Sequence, residues 1–346
     1  MTDTALVTGA DGFVGRHLVR ALTGRGVAVR ALDLAFGAPL PDGATPVRAD
    51  ILDAAALRPA MAGVDVVYHL AAISDLWVPP SDPGRHHRVN VGGTRAVLAA
   101  AIEAGPRRIV HCSSNVVLIA GPRTDHPVDE GRPPPRETLF GAYAKSKADA
   151  EDAVAAARDR IETVIVRPGT PIGPGDHRPT PPGRLLRDLA NGAIPALPRG
   201  GSINLVDVAA MADAMAAAGW QAPADARYLL TGKDLSFGAL ADILAGVTGR
   251  PMPRERVPYP VAWTAAVAED LVWSRITGRP PAASFAGVRM AARRRRFSNA
   301  PARAELGLRP TDVAASVTRA LHWMVGQGTI RRDLPGLPAA LARIEA

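Results

Sequence analysis

The stretch of sequence that decides the fold is Thr8-Gly9-Ala10-Asp11-Gly12-Phe13-Val14-Gly15, in a chain of 346 residues. It follows a short apolar run at Ala5–Thr8 that is typical of a buried strand, and apolar residues then recur at helical spacing as far as Leu22. A glycine-rich turn between a strand and a helix lets backbone N–H groups approach a pyrophosphate, whose charge the helix N-terminus favours. Taken alone, the spacing predicts a strand, a tight turn and a helix, and a dinucleotide site is the functional alternative to a purely structural turn.

The first half of the chain alternates apolar runs with helical patterns. This alternation predicts βαβ units, and therefore an α/β fold with a Rossmann-type, doubly wound parallel sheet. The hydrophobic fraction is 47% and the aromatic fraction 4%, so we expect a core of Ala, Val and Leu beneath covering helices. The predicted strands after the first are 27–33, 46–49, 64–70, 109–113 and 163–167, and the predicted helices are 53–63, 90–104 and 142–157.

The second half of the chain predicts a smaller, mainly helical C-terminal lobe. After a helix predicted at 184–191, the longest helical pattern covers 259–276 and carries Trp263 and Trp273. We expect this long helix to cover a substrate cleft rather than to touch a membrane. We predict a dinucleotide-binding domain at 1–174, and we expect the chain to return to this domain at 203–233. The substrate-binding lobe is predicted at 175–202 and 234–330, and the tail at 331–346 is expected to dock as a helix.

Composition and charge argue against several classes of protein. The single cysteine, Cys112, excludes an intramolecular disulfide and cysteine-rich zinc sites. His86 and His87 are adjacent and cannot share one face of a helix or strand, so we expect no metal site. The net charge of +8 invites a nucleic-acid interpretation, but the basic run Arg293–Arg296 is not interleaved with aromatic residues, and we expect no nucleic-acid partner.

The sequence also bears on membranes and location. It contains no run of about 18 uncharged apolar residues, the length that a spanning helix requires. The residues after Met1 show no basic segment followed by an apolar one. We therefore expect a cytoplasmic protein without integral membrane association.

An acidic residue closes the second predicted strand. Asp33 lies 18 residues after Gly15. A carboxylate at this position accepts hydrogen bonds from the adenosine ribose hydroxyls, whereas a 2′-phosphate would meet like charge. The sequence therefore favours NAD, and Arg30 on the same strand keeps NADP as the less favoured alternative.

Three residues form a candidate catalytic group. Tyr143 and Lys147 are four residues apart on one predicted helix, so their side chains share a face. A phenol has an ordinary pKa near 10, and we expect the lysine ammonium to lower the pKa of Tyr143 toward the working range of a proton shuttle. Ser114 follows the fifth predicted strand, where its hydroxyl can orient a reacting oxygen.

With these residues in place, the chain resembles the extended branch of the short-chain dehydrogenase/reductase superfamily over roughly residues 4–325. The resemblance implies that the glycine turn, Asp33, Tyr143 and Lys147 contact the cofactor. It also implies roles for Asp50 and Ile51 beside the adenine, Leu70, Ala71 and Ala72 along the cofactor, Asn90 in the helix behind the site, and Pro168 beside the nicotinamide. We expect a homodimer that acts on a small molecule.

Within this branch, the chain is similar to the hopanoid-associated sugar epimerase and dihydroflavonol-reductase-like group. The similarity rests on Leu76-Trp77, on 88–91, on 170–176 with 179–181, and on 304–307. Nucleotide-sugar epimerases usually carry an Arg-Tyr-Phe-Asn type stretch where this chain has Arg167-Pro168-Gly169-Thr170, and this departure weakens the case for a nucleotide-sugar substrate.

The predicted activity is NAD-dependent, reversible hydride transfer at a secondary alcohol or ketone. A sugar epimerase or dehydratase with tightly bound NAD is the alternative, and a non-catalytic dinucleotide sensor is a third hypothesis that the intact catalytic group disfavours. We expect the substrate pocket to be lined by 76–88, 115–140, 170–200 and 259–290, with Arg178, Arg184 and Arg199 as candidates for an anionic group.

Overall fold

The computed structural model describes residues 2–120, 126–131, 134–281, 284–293 and 295–345. The proline-rich stretch 121–141 and the basic run 293–296 therefore lie partly outside the described residues, as does the side chain of Trp273. The strands are β1 (Thr4–Thr8), β2 (Ala28–Asp33), β3 (Ala44–Arg48), β4 (Val66–His69), β5 (Arg108–Cys112), β6 (Glu162–Pro168), β7 (Thr170–Ile172), β8 (Leu197–Pro198), β9 (Ser202–Asp207), β10 (Arg227–Leu230), β11 (Lys233–Ser236) and β12 (Glu255–Val257).

Helices cover both faces of the sheet and form most of the second lobe. They are α1 (Phe13–Thr23), α2 (Ala54–Met61), α3 (Gly93–Ala104), α4 (Gly141–Ala156), α5 (Pro181–Ala190), α6 (Val208–Gln221), α7 (Phe237–Thr248), α8 (Tyr259–Ala268), α9 (Ser274–Thr277), α10 (Phe285–Ala291), α11 (Ala300–Glu305), α12 (Val313–Gly326) and α13 (Leu337–Glu345). Two π-helical segments, His87–Gly92 and Glu269–Trp273, lead into α3 and join α8 to α9.

The large sheet has seven parallel strands in the order β10-β6-β5-β4-β1-β2-β3. The order in which strands are added reverses between β1 and β4: β2 and β3 follow on one side of β1, and β4, β5 and β6 on the other. Ligands of doubly wound sheets bind beside such a switch point, at the carboxyl ends of the strands. The predicted Rossmann-type fold is confirmed.

Side chains of the central strands alternate between two buried layers. Ala5 and Val7 of β1 pack beneath α1 and α6, whereas Leu6 packs on the opposite face beneath α2 and α3. Because both faces are covered, the strands are apolar along their length, which explains why they read as continuous apolar runs.

The second lobe has its own apolar core. Helices α5, α7, α12 and α13 pack around it with the small sheet β11-β9-β7. The tail helix α13 contributes Leu337 and Ala340, which are 5% and 3% exposed. β10 is the strand of the region after residue 175 that joins the large sheet, and it lies within the predicted 203–233 segment. The predicted domain boundaries stay a prediction.

Three elements differ from their predicted form. The helix predicted at 259–276 is interrupted by the π-helical segment, so it consists of α8, that segment and α9. The helix predicted to start at Arg184 starts at Pro181, because two prolines fit the first helical positions and Thr180 caps them. The helix predicted from Asn90 is π-helical as far as Gly92. Within the described ranges, no helix combines the length and the apolar character needed to cross a bilayer.

Candidate active site

The glycine turn between β1 and α1 exposes backbone atoms and leaves no room for side chains at two of its positions. Gly9 has φ +70°, and a Cβ atom there would lie 2.8 Å from the amide nitrogen of Ala71. A Cβ atom at Gly15 would lie 2.0 Å from the carbonyl oxygen of Gly9. No side chain of the described residues caps α1, so its first N–H groups are available to an anion. The turn therefore fits a dinucleotide pyrophosphate.

The carboxylate of Asp33 is fixed at the end of β2, beside this turn. Oδ2 accepts a hydrogen bond from the backbone N–H of Asp11 at 2.9 Å, and Oδ1 accepts one from Leu34 at 2.8 Å. Arg30 does not reach this end of the strand, because its guanidinium donates to the carbonyl oxygens of Ala60 and Ala62 near the end of α2, at 2.9 and 2.6 Å. The strand end is therefore acidic.

Asp11 anchors the turn to the following helix and to one distant segment. Its buried carboxylate forms ion pairs with Arg16 of α1 and with Arg178, whose Nη2 lies 2.8 Å from Oδ2. Arg178 belongs to the connection between β7 and α5, so this pair joins the glycine turn to the second lobe across 167 residues of sequence. The predicted cofactor residue Asp11 thus has its carboxylate engaged within the protein.

Tyr143, Lys147 and Ser114 meet in one cleft with the glycine turn. Tyr143 and Lys147 share a face of α4, and Ser114 follows β5. Ser114 and Tyr143 both line the cleft, and Ser114 lies near enough to the phenol to favour a lower pKa for Tyr143. The ammonium of Lys147 is buried and donates to the carbonyl oxygen of Cys112 at 2.7 Å. In the sheet only β4 lies between β5 and β1, and this places the three side chains near the turn.

The pKa of Tyr143 moves in the opposite direction from the one predicted. Burial raises it to about 12, and the nearby Ser114 side chain only partly opposes that rise. Burial also lowers the pKa of Lys147 and raises the pKa of Cys112 to about 11. The expected lowering of the Tyr143 pKa by Lys147 is therefore not found, because the cost of burying the phenolate dominates.

Asn90 lies behind the catalytic helix and is 1% exposed. Its amide exchanges two hydrogen bonds with the backbone of Ile73, at 2.8 and 3.0 Å, and donates a third to Ser146 Oγ at 3.0 Å. Ser146 donates in turn to the carbonyl oxygen of Tyr143 at 2.8 Å. The π-helical segment that carries Asn90 thereby ties the loop after β4 to α4.

His86 is a neighbour of Tyr143 that sequence reasoning missed. Its ring is 1% exposed, contacts the Tyr143 ring edge-on at 6.4 Å between centroids, and shares a hydrogen bond of 2.7 Å with the carbonyl oxygen of Asp75. The sequence offered only the adjacency of two histidines, which says nothing of such a contact. In the described part of the chain, no group of His, Cys, Asp or Glu side chains is arranged to hold a metal ion.

The cleft has a volume of about 470 Å³ and lies between the large sheet and the second lobe. Its wall toward the second lobe is mostly apolar, with Ile203, Phe237, Met290 and Phe297. The charged side chains among its described lining residues are Lys147, Arg293 and Arg295, and none is acidic. The cleft therefore suits an apolar body that carries at most a small anionic group.

The structure brings most of the predicted site residues to this cleft. The predicted residues that line the cleft are Gly9, Gly12, Phe13, Val14, Gly15, Leu70, Ala72, Ser114, Tyr143, Lys147 and Pro168. The predicted residues that lie outside the lining are Asp11, Asp33, Asp50, Ile51, Ala71 and Asn90. Of these, Ile51 is 5% exposed and packs into the core beside Gly93.

All four segments predicted to line the pocket contribute lining residues, among them Leu76, Asn115, Pro171 and Met290. Two narrower expectations are not met, and two lining segments were missed. Arg178, Arg184 and Arg199 are absent from the described lining, and Arg293 and Arg295 line it instead. The 259–276 region is likewise absent from that lining, and α10 forms that wall. Strand β9 and the start of α7 supply lining residues that local sequence patterns gave no reason to choose.

The family model of the NAD-dependent epimerase/dehydratase family matches residues 5–220. This chain belongs to that family. The match confirms the resemblance to the extended short-chain dehydrogenases/reductases.

Relatives within the family match nearly the whole chain. A protein of Synechocystis sp. named as a candidate dihydroflavonol 4-reductase is 35% identical over 339 residues, which cover 96% of this chain and 97% of the relative. Sterol demethylase protein B of Methylococcus capsulatus is 32% identical over 342 residues, which cover 94% of this chain and 100% of the relative.

Solved structures share the architecture of this chain. The crystal structure of gox2253 has a TM-score of 0.81 and 32% sequence identity, with 95% of this chain and all of that chain covered. MoeE5 in complex with UDP-glucose and NAD has a TM-score of 0.74 at 22% identity, covers 94% of this chain and 99% of its own, and shows the fold alone. The chain is therefore an enzyme of the NAD-dependent oxidoreductase or epimerase type.

Proposed function

We propose that the protein is an NAD-dependent dehydrogenase or reductase that interconverts a secondary alcohol and a ketone on a bulky apolar molecule. The observation that carries this proposal is the cleft itself, in which Ser114, Tyr143 and Lys147 meet an apolar wall without carboxylates among its described residues.

Tyr143 is the proposed general acid and base. With a pKa raised to about 12, its phenol holds its proton at neutral pH and can give it to a carbonyl oxygen as that oxygen gains charge. Ser114 lines the cleft together with Tyr143, and its hydroxyl can donate to the same substrate oxygen. The nicotinamide, when bound, supplies or accepts the hydride.

Lys147 has two proposed roles. Its ammonium is buried and held by the carbonyl oxygen of Cys112, so a positive charge is fixed one helical turn from Tyr143. This charge stabilises negative charge that develops on the phenol oxygen during proton transfer. The same ammonium can donate to a ribose hydroxyl of the cofactor.

We propose NAD rather than NADP as the cofactor. Asp33 presents a fixed carboxylate at the end of β2, and Arg30 is turned away toward α2. A 2′-phosphate placed there would meet the negative charge of Asp33, and the guanidinium of Arg30 is not positioned to balance it. The proposed contacts of Asp50 and Ile51 with the adenine follow from their position after β3, the strand next to β2.

The relatives support an apolar substrate. Two that match nearly the whole chain are named for a dihydroflavonol and a sterol, which are polycyclic molecules without a sugar phosphate. A nucleotide sugar would place a polar sugar and a diphosphate against Ile203, Phe237 and Met290, where burial of unpaired polar groups is costly.

A panel of ketones tests the proposal. We expect NADH oxidation with polycyclic or long-chain ketones, and none with UDP-glucose. The alternative, an epimerase with tightly bound NAD, predicts conversion of a nucleotide sugar without any added or consumed nicotinamide. That result would overturn the proposal.

We also propose a homodimer and a cytoplasmic location, which stay predictions. Helices α3 and α4 border a surface groove in which apolar residues such as Ala99 and Ile102 lie among charged ones such as Arg95 and Asp152, and this mixed surface supports pairing with a second copy. Light scattering of the purified protein, with Ala99→Glu as the disrupting variant, tests the dimer. Fractionation of cells that express the protein tests its location.

A further inference from the structure

The segment formed by α8, the second π-helical segment and α9 exposes an unusually apolar surface. Of the large apolar side chains that are exposed in the described part of the chain, five lie on this segment and three elsewhere. The five are Val261, Trp263, Leu271, Val272 and Ile276, with exposed fractions of 55%, 39%, 52%, 55% and 75%. Such a concentration within sixteen residues is not the scattered exposure that surfaces ordinarily show.

The exposed residues of this segment follow a helical period. Val261, Ala265, Ala268, Val272 and Ile276 are all exposed and recur at intervals of four, three, four and four. An ordinary surface helix carries charged or polar residues at these positions. Here the face toward solvent is apolar.

The opposite face of the segment packs against the protein. Ala266 and Ser274 are buried, and Asp270 accepts a hydrogen bond from the backbone N–H of Phe285 at 3.0 Å. Trp263 contacts the ring of Phe285 edge-on at 5.9 Å between centroids. The packing therefore fixes which face points outward.

The segment is one helix removed from the active site. Helix α10 packs against α8, and its residues Gly287 and Met290 line the cleft. Trp77, which follows the cleft residue Leu76, donates through its indole N–H to Ser274 Oγ at 3.3 Å. A molecule that leaves an apolar phase at this segment has a short path to Tyr143.

Cations flank the apolar face. Arg275 and Arg279 are exposed at its end, and no carboxylate of the described part of the chain forms an ion pair with either. Arg289 of α10 lies over the ring of Phe140 at 4.1 Å and shares a second cavity with Lys145. Of the two acidic residues on the segment, Asp270 is turned inward to Phe285 and Glu269 is half-buried.

We propose that this face docks on the surface of an anionic lipid bilayer, with Val261, Val272 and Ile276 among the acyl chains and Arg275 and Arg279 against the lipid phosphates. The combination of an apolar face with flanking cations is typical of helices that lie in the interface plane. Such docking delivers an apolar substrate to the cleft. The proposal rests on this surface alone, so its failure would leave the proposed hydride transfer untouched.

Vesicle flotation tests the docking. We expect the full-length protein to float with vesicles of phosphatidylcholine and phosphatidylglycerol, and to stay at the bottom with phosphatidylcholine alone. The double variant Val272→Glu with Ile276→Glu should lose flotation. Val325→Glu on α12 introduces a single such charge at a position that is 41% exposed, and it should float like the native protein, whereas the matched single variant Ile276→Glu should float less.

A second pair of variants tests the charge. Arg275→Gln and Arg279→Gln should each weaken partitioning of the protein into the anionic vesicles about fivefold. Arg160→Gln with Arg331→Gln makes the same change in net charge elsewhere on the surface and should leave partitioning within twofold of the native value. Unchanged melting midpoints and unchanged turnover of a water-soluble ketone show that the variants are folded.

Three results would overturn the proposal. One is the absence of flotation with anionic vesicles, and another is flotation that Val272→Glu with Ile276→Glu leaves intact. The third is a native oligomer that this double variant dissociates without lipid, because the face would then be an interface between copies of the chain.

Discussion

The carboxylate of Glu151 accepts two hydrogen bonds from the guanidinium of Arg167, at 2.9 and 2.7 Å, and both side chains are almost wholly buried. Glu151 lies on α4 one helical turn beyond Lys147, and Arg167 lies on β6. The pair therefore fastens the catalytic helix to the sheet beneath it.

Breaking this pair should destabilise the fold strongly. Arg167→Met leaves the Glu151 carboxylate buried without its partner, and the free energy of unfolding should fall by about 3–5 kcal/mol. Adding Glu151→Leu removes the stranded charge and should restore most of the loss. Chemical denaturation measures both values, and a double variant as unstable as Arg167→Met alone would contradict this account.

Removing the phenol hydroxyl should abolish most of the turnover. Tyr143→Phe keeps the ring against His86 but removes the proton, so kcat should fall by about 10²–10⁴-fold with NADH binding unchanged. Tyr259→Phe makes the same change at the start of α8, outside the described lining of the cleft, and should retain native turnover. Stopped-flow NADH oxidation and fluorescence titration give the two readouts. A Tyr143→Phe enzyme with most of its activity would remove the tyrosine from the mechanism.

Neutralising the end of β2 should shift the choice of cofactor. Asp33→Ala removes the charged acceptor for the ribose hydroxyls, so NADH binding should weaken by about 10–100-fold, the equivalent of a charged hydrogen bond. NADPH binding should not weaken, because the repulsion of its 2′-phosphate is lost as well. Asp42→Ala removes an exposed carboxylate from the β2–β3 connection and serves as the control. Equal losses for both cofactors in the Asp33 variant would argue against the proposed role.

Acid should weaken the junction between β9 and α12. Burial opposes the charge on Asp207, but hydrogen bonds from Ser316, the backbone of Ala210 and Arg319 outweigh it and lower the pKa of the carboxyl from its ordinary value of 3.8. The carboxylate therefore contributes its full stability above about pH 3.8, and that contribution is lost as the pH falls through the lower folded value.

The matching variant separates this group from the other acids. Asp207→Asn should be less stable than the native protein at pH 7, and the difference in unfolding free energy should shrink as the pH falls below 3.8. Denaturation curves across this range provide the measurement. A difference that is constant with pH would show that Asp207 acts only through its shape.

Local patterns were enough to predict the large sheet and the centre of the site. The strands are runs of apolar residues, and in the helices apolar residues recur at helical spacing. Strands β1 to β6 could therefore be placed from the sequence within a few residues. The predicted residues at the centre of the site were recognised either from their position at the end of a strand or from a spacing of one helical turn. They are the glycine turn, Asp33, Ser114, Tyr143 and Lys147. Such features are visible in short windows of sequence.

What could not be predicted depends on contacts between distant segments. Arg178 meets Asp11 across 167 residues, and Arg30 points to α2 rather than to the strand end. The long predicted helix was assigned to the cleft because it is apolar, but packing places α10 there and leaves α8 outside. The pKa of Tyr143 likewise depends on burial, which spacing alone does not report.

The measurement that tests the central claim most directly is the fate of a deuterium atom. The enzyme is supplied with NADH that carries deuterium at both hydrogen positions of nicotinamide C4, so that a labelled hydride is transferred from either face. The best ketone of the panel is the substrate, and the released product is examined by mass spectrometry. We predict one deuterium on the carbinol carbon of each alcohol molecule and one NAD formed for each alcohol. A product without deuterium, or one formed without consumption of NADH, would contradict hydride transfer to a released alcohol.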